Sequence, residues 1–190
     1  MMPTAPEAAI AVTVRVIAGA HRGRTLRAPR GRTTRPTSDR VREALFSILG
    51  DVGGLEVLDL FAGSGALAIE ALSRGASTAT LVDRSRAAIQ AIEHNLEMLG
   101  IEAEVVRADA VAWCEQAKGR TRQYDLVFLD PPYRHGSLLG GRLTAALGGV
   151  LAPRARVVAE SDRREPLGLG LHLLDERRYG DTLIRIYGTH

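Results

Sequence analysis

The stretch EVLDLFAGSG, residues 56–65, decides the fold of this 190-residue chain. A short apolar-rich strand pattern runs directly into a turn that contains Gly63 and Gly65, and an apolar helical segment follows. Glycine lets the backbone approach a ligand closely, and the start of a helix supplies free N–H groups. This order is typical of the first strand, turn and helix of a nucleotide-binding α/β sheet.

Strand and helix patterns alternate from residue 55 onward, as they do in a doubly wound sheet. The pattern predicts strands at 56–60, 79–83, 103–107, 126–130 and 156–160, and helices at about 65–74, 85–99, 110–118 and 138–147. Segments 169–174 and 182–187 are expected to form a final antiparallel pair, joined by the polar stretch 175–181. The predicted fold is therefore α/β, a Rossmann-like doubly wound sheet that is mostly parallel with an antiparallel C-terminal strand.

The segment before residue 51 has a different character. Residues 1–11 are rich in Ala and Pro and are predicted to be a disordered tail. Segments 12–17 and 24–28 predict a small β-hairpin, and residues 40–49 carry a helical apolar stripe with possible N-caps at 37–39. The predicted organisation is a tail (1–11), an N-terminal extension (12–50) and a main domain (51–190). We expect loss of residues 12–36 to spare the fold.

Arginine is concentrated at the start of the chain. Residues 1–42 contain nine arginines against Glu7 and Asp39, a charge of +7; since the whole chain carries +3, residues 43–190 carry −4. Lys118 is the only lysine, and arginine suits bidentate contact with phosphate and stacking on bases. A basic segment ahead of a mildly acidic domain indicates nucleic-acid contact, with a solvated basic tail as the alternative. The candidate contacts are Arg15, Arg22, Arg24, Arg27, Arg30, Arg32, Arg35 and Arg40.

Several classes of protein are disfavoured by composition. No apolar run approaches the roughly 20 residues that a membrane-spanning helix needs, and the N-terminus lacks the pattern of a signal peptide. Cys114 is the only cysteine, so no disulfide can form within the chain, and the five histidines show no metal-ligand spacing. We therefore expect a soluble cytoplasmic protein without a metal, and a monomer by default.

Acidic residues stand where the first three strands of the main domain end. Asp59 precedes the glycine turn, Asp83 ends the second strand 18 residues after Gly65, and Asp109 lies at the end of the third. The position of Asp83 suits an acid that binds ribose hydroxyls, and Asp109 is placed to accept from an adenine amine. Because Asp83 and Asp109 both precede helices, a purely structural role as helix caps is the competing interpretation.

The type of cofactor can be narrowed from the same residues. Position 68 is Ala, so the full dinucleotide glycine pattern is absent, and Asp59 would set a negative charge against a pyrophosphate. An acid near the turn is better matched to the cationic amino group of S-adenosyl-L-methionine. The predicted cofactor-binding residues are Asp59, Phe61, Ala62, Gly63, Gly65, Asp83, Arg84, Asp109 and Ala110.

A second motif, Asp130-Pro131-Pro132-Tyr133, ends the fourth strand of the main domain. The Asp130 carboxylate and a proline carbonyl can accept hydrogen bonds from an exocyclic amine. The two prolines stiffen the turn, and Tyr133 offers a face on which a base can stack. These four residues are the catalytic candidates. On their own they fit an adenine, cytosine or guanine amine, and a plain strand-to-loop turn is the alternative.

These motifs together resemble the class I S-adenosylmethionine-dependent methyltransferases, and more closely the RsmD family of bacterial small-subunit ribosomal RNA guanine-N2 methyltransferases. The resemblance runs from about Val14 to the C-terminus and is most specific in the run RPTSDRVREALF, residues 35–46. It also includes DLFAGSGAL (59–67), EALSRG (70–75) and DPPY (130–133), where the family often carries Phe at the position of Tyr133.

The resemblance implies methylation of guanine N2 in small-subunit (16S) ribosomal RNA, with S-adenosyl-L-homocysteine as the second product and a partly or fully assembled 30S subunit as substrate. Two rivals remain. A DNA amine methyltransferase would share the Asp130 motif but usually needs an added target-recognition region, for which this chain has no room. A non-catalytic RNA-binding assembly factor would be expected to show a broken cofactor turn or a missing acid.

Overall fold

The computed structural model describes residues 14–29, 38–119, 121–132 and 136–189. Its strands and helices agree with the predicted alternation to within two residues at most ends, although the strand predicted at 156–160 is considerably longer. In chain order the elements are β1 (Val14–Arg15), β2 (Thr25–Leu26), α1 (Asp39–Leu49), β3 (Glu56–Leu60), α2 (Ala66–Ser73), β4 (Thr78–Asp83), α3 (Arg86–Leu99), β5 (Glu104–Arg107), α4 (Ala110–Ala117), β6 (Tyr124–Leu129), α5 (Gly136–Leu147), β7 (Leu151–Asp162), β8 (His172–Tyr179) and β9 (Thr182–Gly188).

Seven strands form the main sheet in the order β5-β4-β3-β6-β7-β9-β8. The strands from β5 to β7 are parallel, whereas β9 runs antiparallel to both of its neighbours. The predicted fold class is confirmed, and β1 and β2 form the predicted small antiparallel hairpin. Because the chain moves outward from β3 through β4 to β5 and then returns to β6, the order of strands reverses between β3 and β6. Open α/β sheets bind their ligands outside the carboxyl ends of the strands at such a switch point.

The end of the chain differs from the prediction. We predicted a strand at 169–174 followed by a polar connection, but β8 runs from His172 to Tyr179 and only Gly180 and Asp181 separate it from β9. The charged residues belong to an edge strand, where side chains reach water and pair with charged neighbours, as Glu176 does with Arg185 of β9 at 2.9 Å. A prediction based on apolar runs misses a strand of this kind.

Two apolar clusters cover the two faces of the sheet. Successive residues of the buried strands enter different clusters, as Val57 and Leu58 do in β3. The first cluster packs under α1, α2 and α3, and Phe46 of α1 contacts Phe128 of β6 there with ring centroids 5.9 Å apart. The second packs under α4 and α5. Ser38 caps α1 as predicted, accepting a hydrogen bond from the N–H of Val41 at 3.3 Å.

The hairpin is docked on the main domain. Val14, Val16 and Leu26 are buried in the first apolar cluster. The fully buried carboxylate of Glu70 in α2 accepts hydrogen bonds from the N–H groups of Ile17 (2.7 Å) and Ala18 (3.0 Å). Removing the hairpin would expose apolar side chains of this cluster to water and take two hydrogen-bond donors from the Glu70 carboxylate, and both changes are costly. The structure therefore argues against our expectation that loss of residues 12–36 spares the fold; residues 12, 13 and 30–36, like the tail 1–11, lie outside the described part of the chain.

Candidate active site

A pocket of about 310 Å³ opens at the carboxyl edge of the sheet, beside the switch point. It is formed by residues at or just after the carboxyl ends of β3, β4, β5 and β6, together with the first turns of α5. Six of the predicted site residues line it: Phe61, Asp83, Arg84, Asp109, Ala110 and Pro132. The structure therefore brings together residues that the sequence separates by 71 positions, from the predicted cofactor and acceptor motifs alike.

The glycine turn is bound tightly to β4. The N–H groups of Phe61 and Ala62 both donate to the carbonyl of Val82 at 3.0 Å. Gly65 has a φ of 78°, and a Cβ at this position would lie 2.9 Å from a methyl group of Leu81. No other residue fits there without strain, so the second glycine of the motif is required by both backbone conformation and packing.

Asp83 supports this turn and also lines the pocket. Its Oδ2 accepts from the N–H of Gly63 at 3.0 Å, and its Oδ1 accepts from the N–H of Ser85 at 2.8 Å. The side chain is mostly buried, and the cap of α3 is Ser85. A carboxylate offers about four acceptor sites, and the hydroxyls of a ribose are donors of the kind that such a group accepts.

Asp109 combines the two roles that the sequence left open. It is the N-cap of α4, where its Oδ1 accepts from the N–H groups of Val111 and Ala112, both at 3.1 Å. It is also exposed and lines the pocket. Capping uses one carboxylate oxygen, so the cap fixes the orientation in which the group faces the pocket.

Asp59 lies behind the glycine turn. It is almost fully buried, and its Oδ2 accepts from the N–H of Ala68 at 3.3 Å, near the start of α2. Burial raises the pKa of Asp59 to about 7; the hydrogen bond from Ala68 opposes this shift, and the charge of Asp83 adds to it. Asp59 is not among the residues that line the pocket within the described part of the chain. Its predicted contact with a ligand amine stays a prediction.

The acceptor motif follows β6 directly. Asp130 is half-buried, Pro131 is buried, and Pro132 is exposed at the pocket, whereas Tyr133 lies outside the described residues. The last register pair of β6 and β7 is Leu129 with Ala159, so Asp130 and Glu160 come next on adjacent parallel strands. Glu160 is buried, and sequence reasoning gave it no role although it too lies near the end of a strand.

The arginines of the N-terminal segment fall into distinct groups. Side chains on the hairpin and at the start of α1 are exposed: Arg15, Arg22, Arg24, Arg27 and Arg40. Arg30, Arg32 and Arg35 lie outside the described residues. Arg42, which the charge count included, is fully buried; it donates to the carbonyl of Arg15 and to Asp39 (2.8 Å), and burial lowers its pKa. One of the nine arginines is therefore part of the docking of the hairpin.

Comparisons with known proteins agree with this geometry. The family model described as Conserved hypothetical protein 95 matches residues 14–188. Ribosomal RNA small subunit methyltransferase D of Escherichia coli K12 is 40% identical over 181 residues, which cover 92% of this chain and 89% of that protein. The chain belongs to this RsmD family.

Solved structures of methyltransferases are similar to this RsmD chain in fold. The Escherichia coli protein yhhF is 38% identical with a TM-score of 0.80, covering 94% of this chain and 98% of its own. The 16S rRNA N2 G1207 methyltransferase RsmC of Thermus thermophilus, solved with AdoMet and guanosine, is 20% identical with a TM-score of 0.68 and covers 94% of this chain and 50% of its own. At that identity, the second likeness shows the fold alone. The resemblance drawn from the sequence is confirmed.

Five pocket residues of this RsmD chain were not predicted from the sequence: Val82 and Ala108, which are next to predicted site residues, and three residues of α5. Leu138, Leu139 and Arg142 come from the first turns of α5 and line the pocket, and Leu138 is 79% exposed. Their position in the sequence could have indicated this, because a helix that follows a parallel strand must begin at the carboxyl edge of the sheet. We interpreted its leucines only as part of a helical apolar pattern.

Other reactive side chains do not form a second centre within the described residues. Cys114 is buried in the second apolar cluster, and burial raises the pKa of its thiol to about 12, which suppresses nucleophilic chemistry. No group of three or more His, Cys, Asp or Glu side chains in the described ranges is arranged to hold a metal ion. Within the same ranges, no helix is long and apolar enough to cross a membrane.

Proposed function

We propose that this enzyme transfers a methyl group from S-adenosyl-L-methionine to the exocyclic N2 of one guanine in 16S ribosomal RNA, with the assembled or assembling 30S subunit as its substrate. Methylation of ribosomal RNA follows from membership in the RsmD family. The observation that carries the finer proposal is that one pocket joins Asp83 and Asp109 to Pro132 of the acceptor motif.

The pocket suits the adenosine part of this cofactor. Asp83 would accept from the ribose hydroxyls and Asp109 from the adenine amine, while Phe61, Leu138 and Leu139 offer apolar walls. Gly63 and Gly65 shape the turn that would hold the methionine part, since both take a positive φ. The buried carboxylate of Asp59 before the turn disfavours a pyrophosphate and suits a cationic amine. The residues present therefore fit S-adenosyl-L-methionine better than a dinucleotide.

The acceptor residues would supply positioning and electrostatics. A guanine amine is a weak nucleophile because its lone pair is conjugated with the ring. Asp130 and a carbonyl of Pro131 or Pro132 would accept hydrogen bonds from its two N–H groups. These contacts would aim the lone pair of the amine at the methyl group on the sulfonium of the cofactor. Bound S-adenosyl-L-methionine would supply the methyl group by a displacement in which the S–C bond breaks as the N–C bond forms, and the methylated amine would then lose one proton to solvent. Asp130 need not be a strong base, since a cationic methylated amine is very acidic.

The target base must leave its stack to reach this position. Tyr133 is proposed to stack on it once it has entered. The exposed arginines of the hairpin and of α1 would contact phosphates, because arginine presents a planar fork that matches phosphate oxygens.

The exposed arginines lie at different distances from the carboxyl edge of the sheet. Arg24 donates to the carbonyl of Met98, at the end of α3, and the turn that contains Arg22 packs against the end of α2 through the Ala20–Ser73 hydrogen bond (2.8 Å). Both helix ends lie away from the carboxyl edge. The backbone of Arg27 instead shares a hydrogen-bond partner on α3 with the glycine turn. Arg40 lies in the first turn of α1. At the other end of this helix the carbonyl of Leu49 accepts from Arg156 of β7 at 2.6 Å, and Arg156 is paired with Leu126 near the start of β6. We therefore propose that Arg27 and Arg40 contact the RNA around the target, and that Arg22 and Arg24 contribute less.

The decisive experiment offers tritiated S-adenosyl-L-methionine and the enzyme to DNA, to free 16S RNA and to 30S subunits that lack the modification. Labelled N2-methylguanosine from subunits, with little from DNA, is expected. Label in N6-methyladenosine, or only in DNA, would overturn the proposal. Label in free RNA but not in subunits would remove the assembled subunit as the substrate and keep the chemistry.

We further propose that the enzyme acts as a monomer. A monomer sediments as a 20.4 kDa species at the concentrations used for the methylation assay. Since bacterial ribosomes are assembled in the cytoplasm, the proposed substrate implies that the enzyme works there.

A further inference from the structure

Asn95 is a fully buried polar residue in α3 that faces two distant segments of the chain. Its Nδ2 donates to the carbonyl of Ser64 in the glycine turn at 2.9 Å and to the carbonyl of Arg27 after β2 at 3.0 Å. Its Oδ1 accepts from the N–H of Arg27 at 2.8 Å. The amide thus uses both of its N–H groups and its oxygen, and a flipped amide would place the oxygen against two carbonyls.

The hydrogen bond from Asn95 to Ser64 means that the glycine turn is held from two sides. On the side of β4, Asp83 holds the N–H of Gly63. On the side of α3, Asn95 holds the carbonyl of Ser64, the next residue. A turn held from both sides presents its backbone to a ligand in one conformation, and the cost of ordering it is met before the ligand binds.

The same side-chain amide also binds the backbone at the end of the hairpin. Asn95 pairs with Arg27 in both directions, as neighbouring strands do, so a shift of the Arg27 backbone would break contacts on the amide that also holds Ser64. Arg27 is one of the two arginines proposed to contact RNA near the target.

We propose that Asn95 is a positioning residue that orders the cofactor turn and couples it to the RNA-facing hairpin, so that cofactor and RNA strengthen each other's binding. The coupling rests on the proposed function, whereas the ordering of the turn does not. By thermodynamic linkage, the factor by which RNA tightens cofactor binding equals the factor by which cofactor tightens RNA binding.

Asn95→Asp is the sharpest variant, since it keeps the acceptor for the Arg27 N–H and turns both donors into an oxygen that repels two carbonyls. Asn95→Ala is the milder second variant in case the first does not fold. Ser73→Ala is the matched control. Ser73 binds the hairpin through the carbonyl of Ala18 (2.6 Å) and the N–H of His21 (3.0 Å), and it lies at the end of α2 remote from the glycine turn.

The first measurement is calorimetric binding of S-adenosyl-L-homocysteine, with folding checked by thermal unfolding. We expect each folded Asn95 variant to bind at least tenfold more weakly than the parent, and Ser73→Ala to bind within twofold although its melting temperature falls. Unchanged affinity in the Asn95 variants would overturn the positioning role. An equal loss in Ser73→Ala would also overturn it, because the effect would then come from general loosening of the fold.

The second measurement repeats the titration with 30S subunits that lack the modification. The parent should bind S-adenosyl-L-homocysteine more tightly with subunits than without them, and Asn95→Ala should lose this difference. Coupling that persists in Asn95→Ala would refute the link. If the parent does not bind subunits at all, the proposed function fails, while the titration without RNA still decides the role of Asn95.

Discussion

Replacing Asp59 by Asn should make the protein more stable at pH 8 and a poorer binder of its cofactor. The carboxyl group is almost fully buried and accepts one described backbone hydrogen bond, at 3.3 Å from Ala68. Asn can keep that bond through its Oδ1 and carries no charge. The variant therefore removes the cost of holding a buried carboxylate without removing the contact.

The magnitude follows from the shift in pKa. In the folded chain the pKa of Asp59 is about 7, against an ordinary value of 3.8. The folded state thus binds the proton of Asp59 more tightly, so the contribution of this group to stability is fully present below about pH 4, is lost as the pH rises toward 7, and stays absent above it. At about 1.4 kcal/mol for each pKa unit, the full difference is on the order of 4 kcal/mol. Asp59→Asn should recover a large part of this lost free energy of unfolding at pH 8 and nearly none at pH 4.

Urea unfolding of parent and variant at pH 4.5, 6 and 8 measures this directly. Glu102→Gln, at an exposed position, is the control for the loss of one surface carboxylate. A stability difference between Asp59→Asn and parent that is the same at all three pH values would refute the argument from burial. Calorimetry with S-adenosyl-L-homocysteine at pH 8 then tests the proposed role: affinity equal to that of the parent would reduce Asp59 to a support for α2.

Two further predictions concern the acceptor site and the RNA surface. Asp130→Ala should abolish methyl incorporation while S-adenosyl-L-homocysteine affinity stays within a few-fold by calorimetry; a loss of cofactor binding would contradict its assignment to the acceptor. The double variant Arg27→Ala with Arg40→Ala should weaken RNA binding and lower the slope of log affinity against log salt by about 1.5, the value for two lost phosphate contacts. The double variant Arg22→Ala with Arg24→Ala removes the same charge and should change the slope by less than half as much. An equal change in slope for both double variants would show that RNA affinity depends on total charge and not on the position of these arginines.

The sheet and the strand-end acids were predictable because both are local in sequence. An apolar run of five residues indicates a buried strand, and parallel strands set their carboxyl ends along one edge, so the sequence alone assigns Asp83 and Asp109 to one site. Arg42 shows the limit of such arguments. As one letter in a basic run it counted as surface charge, yet it is buried against the hairpin.

Residues that act through distant partners were not predictable. Asn95 lies in the middle of an amphipathic helix, and its partners are 31 and 68 positions away in the chain. Leu138 and Leu139 look like ordinary core leucines until α5 is placed over the pocket. Pattern and propensity identify which residues belong to an element, whereas the contacts between elements come only from their packing.

The position of β9 has a consequence for how the protein is made. This strand is the last described element to leave the ribosome, yet it lies between β7 and β8 and pairs with both. During synthesis β8 exists before the strand that joins it to the sheet, and β7 presents an unpaired edge until β9 emerges. A nascent chain of this kind completes its sheet only once β9 is free to insert, and a premature stop within β9 would cost two strand pairings instead of a frayed end.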